Sequence, residues 1–332
     1  MPTHSQGPPS GPVDVAVIGA GAWGTALALQ AHRAGASCAL WVRAPAAAAE
    51  LAATRHARRL PAHPLPAPIL VTADSAIPAR LRLLAVPAQH VRAVARTLPA
   101  DAPMVVCAKG IERQSGMLLL DVLAELHPGL PGLVLSGPNF AHEIAAGLPA
   151  ATVLAGTDAT LRATIADRLA TAEFRIYGNE DPIGVQVGGA AKNVMAIAAG
   201  AVTGAGLGEN ARAALITRGL AELARLATAL GGRAETIAGL SGLGDLLLTC
   251  TGPASRNFSL GLALGRGAPP EAAAASVDGV TEGSATAPAL RAIADTHGLD
   301  LPICRAVADL LDQRLDLPGA ITALLSRPRR DE

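Results

Sequence analysis

Lysine is almost absent from this chain: Lys109 and Lys192 are the only two among 27 basic residues, and every other formal positive charge is an arginine. The excess of Ala, Gly, Pro and Arg points to compositional drift that replaces lysine wherever a generic positive charge is enough. The two survivors therefore mark positions that need an amine. An ε-ammonium is a compact charge whose pKa can fall far enough for it to give or take a proton, whereas a guanidinium stays protonated. The competing explanation is chance survival of two surface lysines, and the location of the side chains decides between the two.

Charge imbalance is absent too. The 27 basic residues face 27 acidic ones with no basic run, so the electrostatic footprint of a nucleic-acid or anionic-membrane binder is missing, and an anionic partner has to be small and locally bound. Cysteine is scarce. Cys38, Cys107, Cys250 and Cys304 lie far apart in apolar stretches, with no metal-ligand spacing, which predicts no metal site and suits a reducing cytoplasm. Residues 1–12, rich in Pro, Gly and Ser, lack the apolar centre of a secretory signal and read as a flexible tail. Residues 15–32 are long enough to be tested as a membrane span, but Gly19, Gly21, Gly24 and Gln30 argue against one.

What the chain does have is length and apolar content: 332 residues, 50% hydrophobic, with a mean hydropathy of +0.36. Two domains are expected. Short apolar runs at 13–18, 37–42, 69–72, 81–86, 104–108, 133–136, 151–155 and 174–177 alternate with Ala-rich helical patterns. This predicts βαβ units on a mostly parallel sheet, an α/β Rossmann-type domain over residues 13–182. Beyond residue 183 the strand signal disappears, and helical stretches at 185–201, 210–230, 256–264, 286–297 and 304–311 predict a second, all-α-helical domain over 183–332.

After the first predicted strand comes Gly19-Ala20-Gly21-Ala22-Trp23-Gly24, followed by a helical run. In that context the glycines carry a mechanism. Gly19 permits the tight turn, Gly21 lets the backbone approach a pyrophosphate, and Gly24 lets the helix pack on the strand, leaving free N–H groups to face phosphates. An NAD site would place an acid at the end of the second strand, where this chain has Trp41-Val42-Arg43. Arg43 suits a 2′-phosphate, so NADP is favoured over NAD; the alternative is a solvated arginine, with the acid supplied by another loop.

Lys109 directly follows a predicted strand, and Ser136-Gly137-Pro138-Asn139-Phe140 ends the next one, so both loops should open onto one crevice beyond the carboxyl ends of the sheet. Lys192 sits in a helical stretch with Gly188 and Gly189 on its face, which predicts room for a ligand beside a partly desolvated amine of lowered pKa. A structural lysine paired with an acid is the alternative. Asp245, in Ser241-Gly242-Leu243-Gly244-Asp245, reads as a buried carboxylate. Ser255-Arg256-Asn257 begins a predicted helix, and Arg256 there could receive a phosphate monoester.

Together these motifs resemble the bacterial NAD(P)-dependent sn-glycerol-3-phosphate dehydrogenases, through residues 19–27, Lys109-Gly110, residues 136–140, 188–193, 206–222, 242–251 and Ser255-Arg256-Asn257. The resemblance implies that Lys192 is the catalytic acid/base and that Lys109, Gly137, Asn139, Asp245, Ser255, Arg256 and Asn257 handle substrate. It implies cofactor contacts from Ala22, Trp23, Arg43, Lys109, Ala141, Arg256, Val280 and Glu282. Asn139 departs from the family's Ser or Thr, and Thr203 from its acidic residue. The implied reaction is reversible hydride transfer from NADPH to dihydroxyacetone phosphate, giving sn-glycerol 3-phosphate for phospholipid synthesis. The Ala- and Leu-rich helical domain suggests a homodimer. A related hydroxy-acid dehydrogenase and a non-catalytic NADPH sensor are the two rival readings.

Overall fold

The structure, a computed structural model, describes residues 11–326, so most of the expected tail at 1–12 lies outside the described residues. All eight apolar runs form strands: β1 (Val15–Ile18), β2 (Cys38–Trp41), β3 (Leu70–Thr72), β4 (Arg82–Leu84), β5 (Met104–Val106), β6 (Gly132–Ser136), β7 (Ala150–Ala155) and β8 (Phe174–Asn179). Their near-continuous burial through β1, β2, β4 and β5 is that of strands covered on both faces. They join in one sheet of order β3-β2-β1-β4-β5-β6-β7-β8. The pairing is parallel except between β6 and β7, where Leu135 faces Leu154 in an antiparallel register. The first six strands follow the doubly wound dinucleotide order, whose ligand crevice lies where the chain reverses direction across the sheet, between β1 and β4.

The helices of this part are α1 (Ala22–Arg33), α2 (Pro45–Thr54), α3 (Val91–Ala95), α4 (Leu119–Leu126), α5 (Ala141–Ala146) and α6 (Ala159–Asp167). Two apolar clusters fill the two faces of the sheet, one around Val15, Val17, Leu27, Leu40, Leu83 and Val105, the other around Ile18, Trp41, Leu84, Met104 and Val106. Alternation of neighbours between clusters follows the two-residue period of a strand.

Among the described residues beyond β8 there is no further strand. The helices are α7 (Pro182–Gly204), α8 (Glu209–Ala229), α9 (Ala234–Ile237), a π-turn at Leu240–Gly244, α10 (Asp245–Cys250), α11 (Arg256–Gly265), α12 (Pro270–Ala275), α13 (Glu282–His297), α14 (Pro302–Leu311) and α15 (Leu317–Leu325). The short helical segments at 234–250 and 317–325 are not expected from the sequence, because a few turns leave little periodicity, whereas the Ala-rich residues 272–275 are helix formers.

The axis of this part is α7. Asp181 caps it by accepting from Gly184 N at 2.8 Å, and Pro182 supplies the fixed φ of a first turn. The helix is long and apolar enough to cross a membrane, yet 94% of its apolar window is buried inside the protein, where it serves as the core. Its closest partner is α11. A Cβ on Gly200 or Gly204 would collide with backbone atoms of α11, and one on Gly261 or Gly265 with backbone atoms of α7. Four-residue spacing puts each glycine pair on one helix face, so the two backbones touch. That contact draws Asn257 toward Asn193 on α7.

Candidate active site

The loops beyond β1, β2, β5 and β6 place Gly19, Arg43, Lys109 and Gly137 along the same carboxyl edge of the sheet. Gly19 has φ +116°, a conformation other residues rarely adopt, and a Cβ on Gly24 would collide with the Gly19 carbonyl. These two glycines close the turn onto α1. Gly21 caps that helix in an extended conformation and has open space where a Cβ would be. Ala22 and Trp23 begin the helix, and the indole Nε1 of Trp23 is buried without a partner.

Lys192 is buried, at 7% exposed, and Lys109 is half-buried, with its side chain 16% exposed, so neither is a chance survivor on the open surface. They meet at Asp245, itself 0% exposed. Lys192 Nζ donates to Oδ1 of Asp245 and, at 2.8 Å, to Oγ1 of Thr249, one turn along α10. Lys109 Nζ donates to Oδ2 of Asp245 at 2.7 Å and to the Gly137 carbonyl at 2.8 Å. An ammonium has three donors, so each lysine keeps one N–H for a further acceptor. Thr249 gives its own proton to the Asp245 carbonyl at 2.5 Å, so it can only accept from Lys192.

Burial pulls the Lys192 pKa down to about 8, opposed by the negative charge of Asp245 and assisted by the positive charge of Lys109. An amine poised there can exchange a proton near neutrality. The expected pocket beside it is corrected by the structure. A Cβ on Gly188 would lie 2.6 Å from the Ser241 carbonyl oxygen, and one on Gly189 would lie 2.6 Å from Ser136 Oγ and 3.5 Å from Lys109 Cγ. The glycines admit the π-turn and the Lys109 loop, not a ligand. They are what allows two strand-end loops and α10 to converge on one helix face.

A second chain of bonds locks the neighbourhood. Asn193 donates to the Lys109 carbonyl at 3.2 Å and accepts from Asn257 at 3.0 Å, and Asn257 Oδ1 accepts from Gly283 N at 3.0 Å. Ser255 caps α11 through Phe258 N at 3.2 Å, which puts Arg256, an exposed residue, at the first helical position. Asn139 is turned inward, its Nδ2 on the Pro138 and Ala151 carbonyls and its Oδ1 buried without a partner. Ala141 opens α5 and Val280 is 45% exposed. Glu282 opens α13, where Oε1 accepts from Ala88 N at 3.1 Å while Oε2 is buried and unpartnered. Burial raises the Glu282 pKa, against that hydrogen bond and the Arg256 charge.

Thr249 and Asn193 were missed by the sequence reading. Four-residue spacing from Asp245 was the available signal for Thr249, and adjacency to Lys192 for Asn193.

A doubly wound sheet with this glycine turn, bearing two lysines on one buried carboxylate at its carboxyl edge, defines a nicotinamide-dinucleotide oxidoreductase. The chain belongs to the NAD-dependent glycerol-3-phosphate dehydrogenase family, whose N-terminal model matches residues 14–162 and whose C-terminal model matches residues 181–322. Similar proteins include the glycerol-3-phosphate dehydrogenase (NAD(P)+) of Acidiphilium cryptum, 58% identical over 96% of this chain and 98% of the relative. That of Gluconobacter oxydans is 51% identical over 95% and 97%. The crystal structure of the Coxiella burnetii glycerol-3-phosphate dehydrogenase superposes with a TM-score of 0.91 at 38% identity, covering 95% of this chain and 99% of that one. These matches support the glycerol-3-phosphate reading and neither of its two rivals.

Proposed function

We propose that the chain is an NAD(P)-dependent glycerol-3-phosphate dehydrogenase in which Lys192 is the proton donor and acceptor, on the strength of its bond to the buried Asp245 beside Lys109. In this reading residues 13–182 form the dinucleotide-binding domain and residues 183–332 the catalytic one, with the site between them.

The chain's residues suit a dinucleotide. Gly19, Gly21 and Gly24 shape a turn onto a helix N-terminus, and Trp23 Nε1 and Glu282 Oε2 are buried polar atoms with no partner within the protein. Gly19, Gly21, Ala22, Trp23, Gly24, Arg43, Lys109, Ala141, Arg256, Val280 and Glu282 would hold it. Arg43 follows β2, three strand spacings from Lys109 after β5, roughly 14 Å at the usual separation, which suits a ligand laid along the sheet edge. Its guanidinium, with no acid in the same turn, favours NADPH. When bound, the reduced nicotinamide supplies the hydride.

The rest is done by the protein. The spare N–H of Lys192 hydrogen-bonds the C2 oxygen of dihydroxyacetone phosphate and passes it a proton as negative charge develops there. Asp245 and Thr249 hold the amine in place. The spare N–H of Lys109 stabilises the same developing charge electrostatically. Arg256, at the capped start of α11, takes the phosphate, with Ser255 and Asn257 fixing that turn and Gly137 and Asn139 meeting the substrate from the loop after β6. The product, sn-glycerol 3-phosphate, is the backbone precursor of phospholipids. Neutral net charge and dispersed cysteines fit a cytoplasmic enzyme, and the Ala- and Leu-rich helical part fits a homodimer.

The test is turnover of dihydroxyacetone phosphate with NADPH and NADH, set beside unphosphorylated dihydroxyacetone and small keto acids. Selective activity on the phosphorylated ketone is expected. Equal activity on dihydroxyacetone, or a keto acid as the better substrate, would contradict the reading.

A further inference from the structure

The proline-interrupted loop between α2 and β3 is not a loose connection. Arg55 bonds the Leu65 carbonyl at 3.1 Å and the Ile69 carbonyl at 2.8 Å, and Ala57, Leu60, Leu65 and Ile69 are buried. This packed loop presents Arg59, between the exposed Arg58 and the buried Leu60, toward residues 278–279 ahead of α13. Arg59 Nη1 stands 3.9 Å from Asp278 Oδ1. Gly279, at φ +99°, turns the backbone there, and a Cβ on it would touch Arg59 Nη1 and lie 2.8 Å from Arg256 Nη1. Two guanidinium groups, one from the α2–β3 loop and one from the start of α11, thus converge on one backbone position.

Like charges so placed repel unless an anion joins them. Asp278 is a poor candidate, because its side chain is 99% exposed and such a pair contributes little in water. Glu282 feels the Arg256 charge, but its Oε1 is taken by Ala88 N and its Oε2 has no hydrogen-bond partner, so it bridges neither guanidinium by a hydrogen bond. We infer that Arg59 is the second half of a two-guanidinium phosphate site with Arg256, gripping an oxyanion of the dinucleotide or of the substrate. Planar guanidinium forks match phosphate oxygens in pairs, and the bare Gly279 leaves both forks unobstructed. Arg59 would then be a specificity-determining residue that belongs to the nucleotide-binding part of the chain while completing a site begun by α11. The inference deepens the functional reading above and rests on it.

Three variants of the full-length chain test it: Arg59→Ala, Arg59→Lys and Asp278→Asn. For each, NADPH and NADH dissociation constants are measured by fluorescence titration and KM for dihydroxyacetone phosphate by steady-state kinetics. Arg59→Ala should raise at least one of the three constants by about tenfold, the loss of one charged hydrogen bond. Arg59→Lys should recover part of the loss, and Asp278→Asn should weaken nothing. Equal loss for NADPH and NADH assigns the pyrophosphate, loss for NADPH alone the 2′-phosphate, and loss for dihydroxyacetone phosphate alone the substrate phosphate. All three constants within twofold of wild type would overturn the inference. So would an Asp278→Asn variant that reproduces the loss, since Arg59 would then only tether the 278–279 turn. The titrations need no turnover, so a wild type that binds nucleotide but leaves dihydroxyacetone phosphate unreduced contradicts the functional reading separately.

Discussion

Lys109 and Lys192 hold opposite oxygens of one carboxylate, with Asp245 Oδ2 taking the first and Oδ1 the second. One lysine comes from a strand end of the sheet and the other from the core helix of the helical part, so the charge pair also joins the two parts of the chain. A single buried anion between two cations cannot neutralise both fully. The positive excess is directed at whatever acceptor the two spare N–H groups face, which is the electrostatic condition for stabilising a developing alkoxide.

This arrangement predicts a definite pH dependence. With Lys192 as the proposed proton donor, the rate of ketone reduction should hold below pH 8 and fall as pH rises through about 8, while oxidation of the alcohol, which would use the free amine, should rise through the same range. Asp245→Asn removes the negative charge that raises the Lys192 pKa, so the reductive limb should move to lower pH. The same change leaves the buried ammonium of Lys192 and the half-buried one of Lys109 without their counter-charge and should cost about 3 kcal/mol of stability. Rate profiles in both directions, with urea denaturation of the variant, check this. A limb that stays in place in Asp245→Asn would show that the carboxylate does not tune the lysine.

The proposed role of Arg43 in cofactor choice gives a second prediction. Arg43→Ala should lower kcat/KM for NADPH by at least about tenfold while leaving that for NADH within about twofold, because only the 2′-phosphate loses a charged partner. Paired kinetics with the two nucleotides decide it. Equal losses with both would move the 2′-phosphate away from Arg43.

Packing of α7 on α11 yields a stability prediction with no catalytic group in it. A Cβ on Gly261 would collide with the Ile197 carbonyl, so the helices must separate to admit it. Gly261→Ala should destabilise the fold by about 1–3 kcal/mol and lower the melting temperature. Gly252→Ala, where a Cβ has open space, is the comparison. If Gly261→Ala melts with wild type, the close helix contact is not what positions Asn257 against Asn193.

The sheet was legible because eight short apolar runs, separated by helical patterns, have few other ways to bury both faces. The meeting of the two lysines at the candidate site was foreshadowed by chemical scarcity: in a chain that otherwise uses arginine, one lies at a strand end and the other in an apolar helix, and both reach Asp245. What the sequence did not disclose is pairwise geometry. Gly188 and Gly189 looked like ligand space and proved to be contact points for Ser241 and Ser136, since a glycine signals closeness without naming what comes close. Thr249 and Asn193 gain their roles only once α10 and α7 are side by side. The antiparallel pairing of β6 with β7 was equally hidden, because an apolar run carries no direction.

The central claim is that Lys192 acts as a proton carrier and not only as a charge, and turnover of Lys192→Arg tests it most directly. The substitution keeps the charge and removes the proton usable near neutrality, so kcat should fall by roughly 10²–10⁴-fold while NADPH affinity, measured by fluorescence titration, stays near wild type. Turnover within a few-fold of wild type would contradict the account and require a different proton donor.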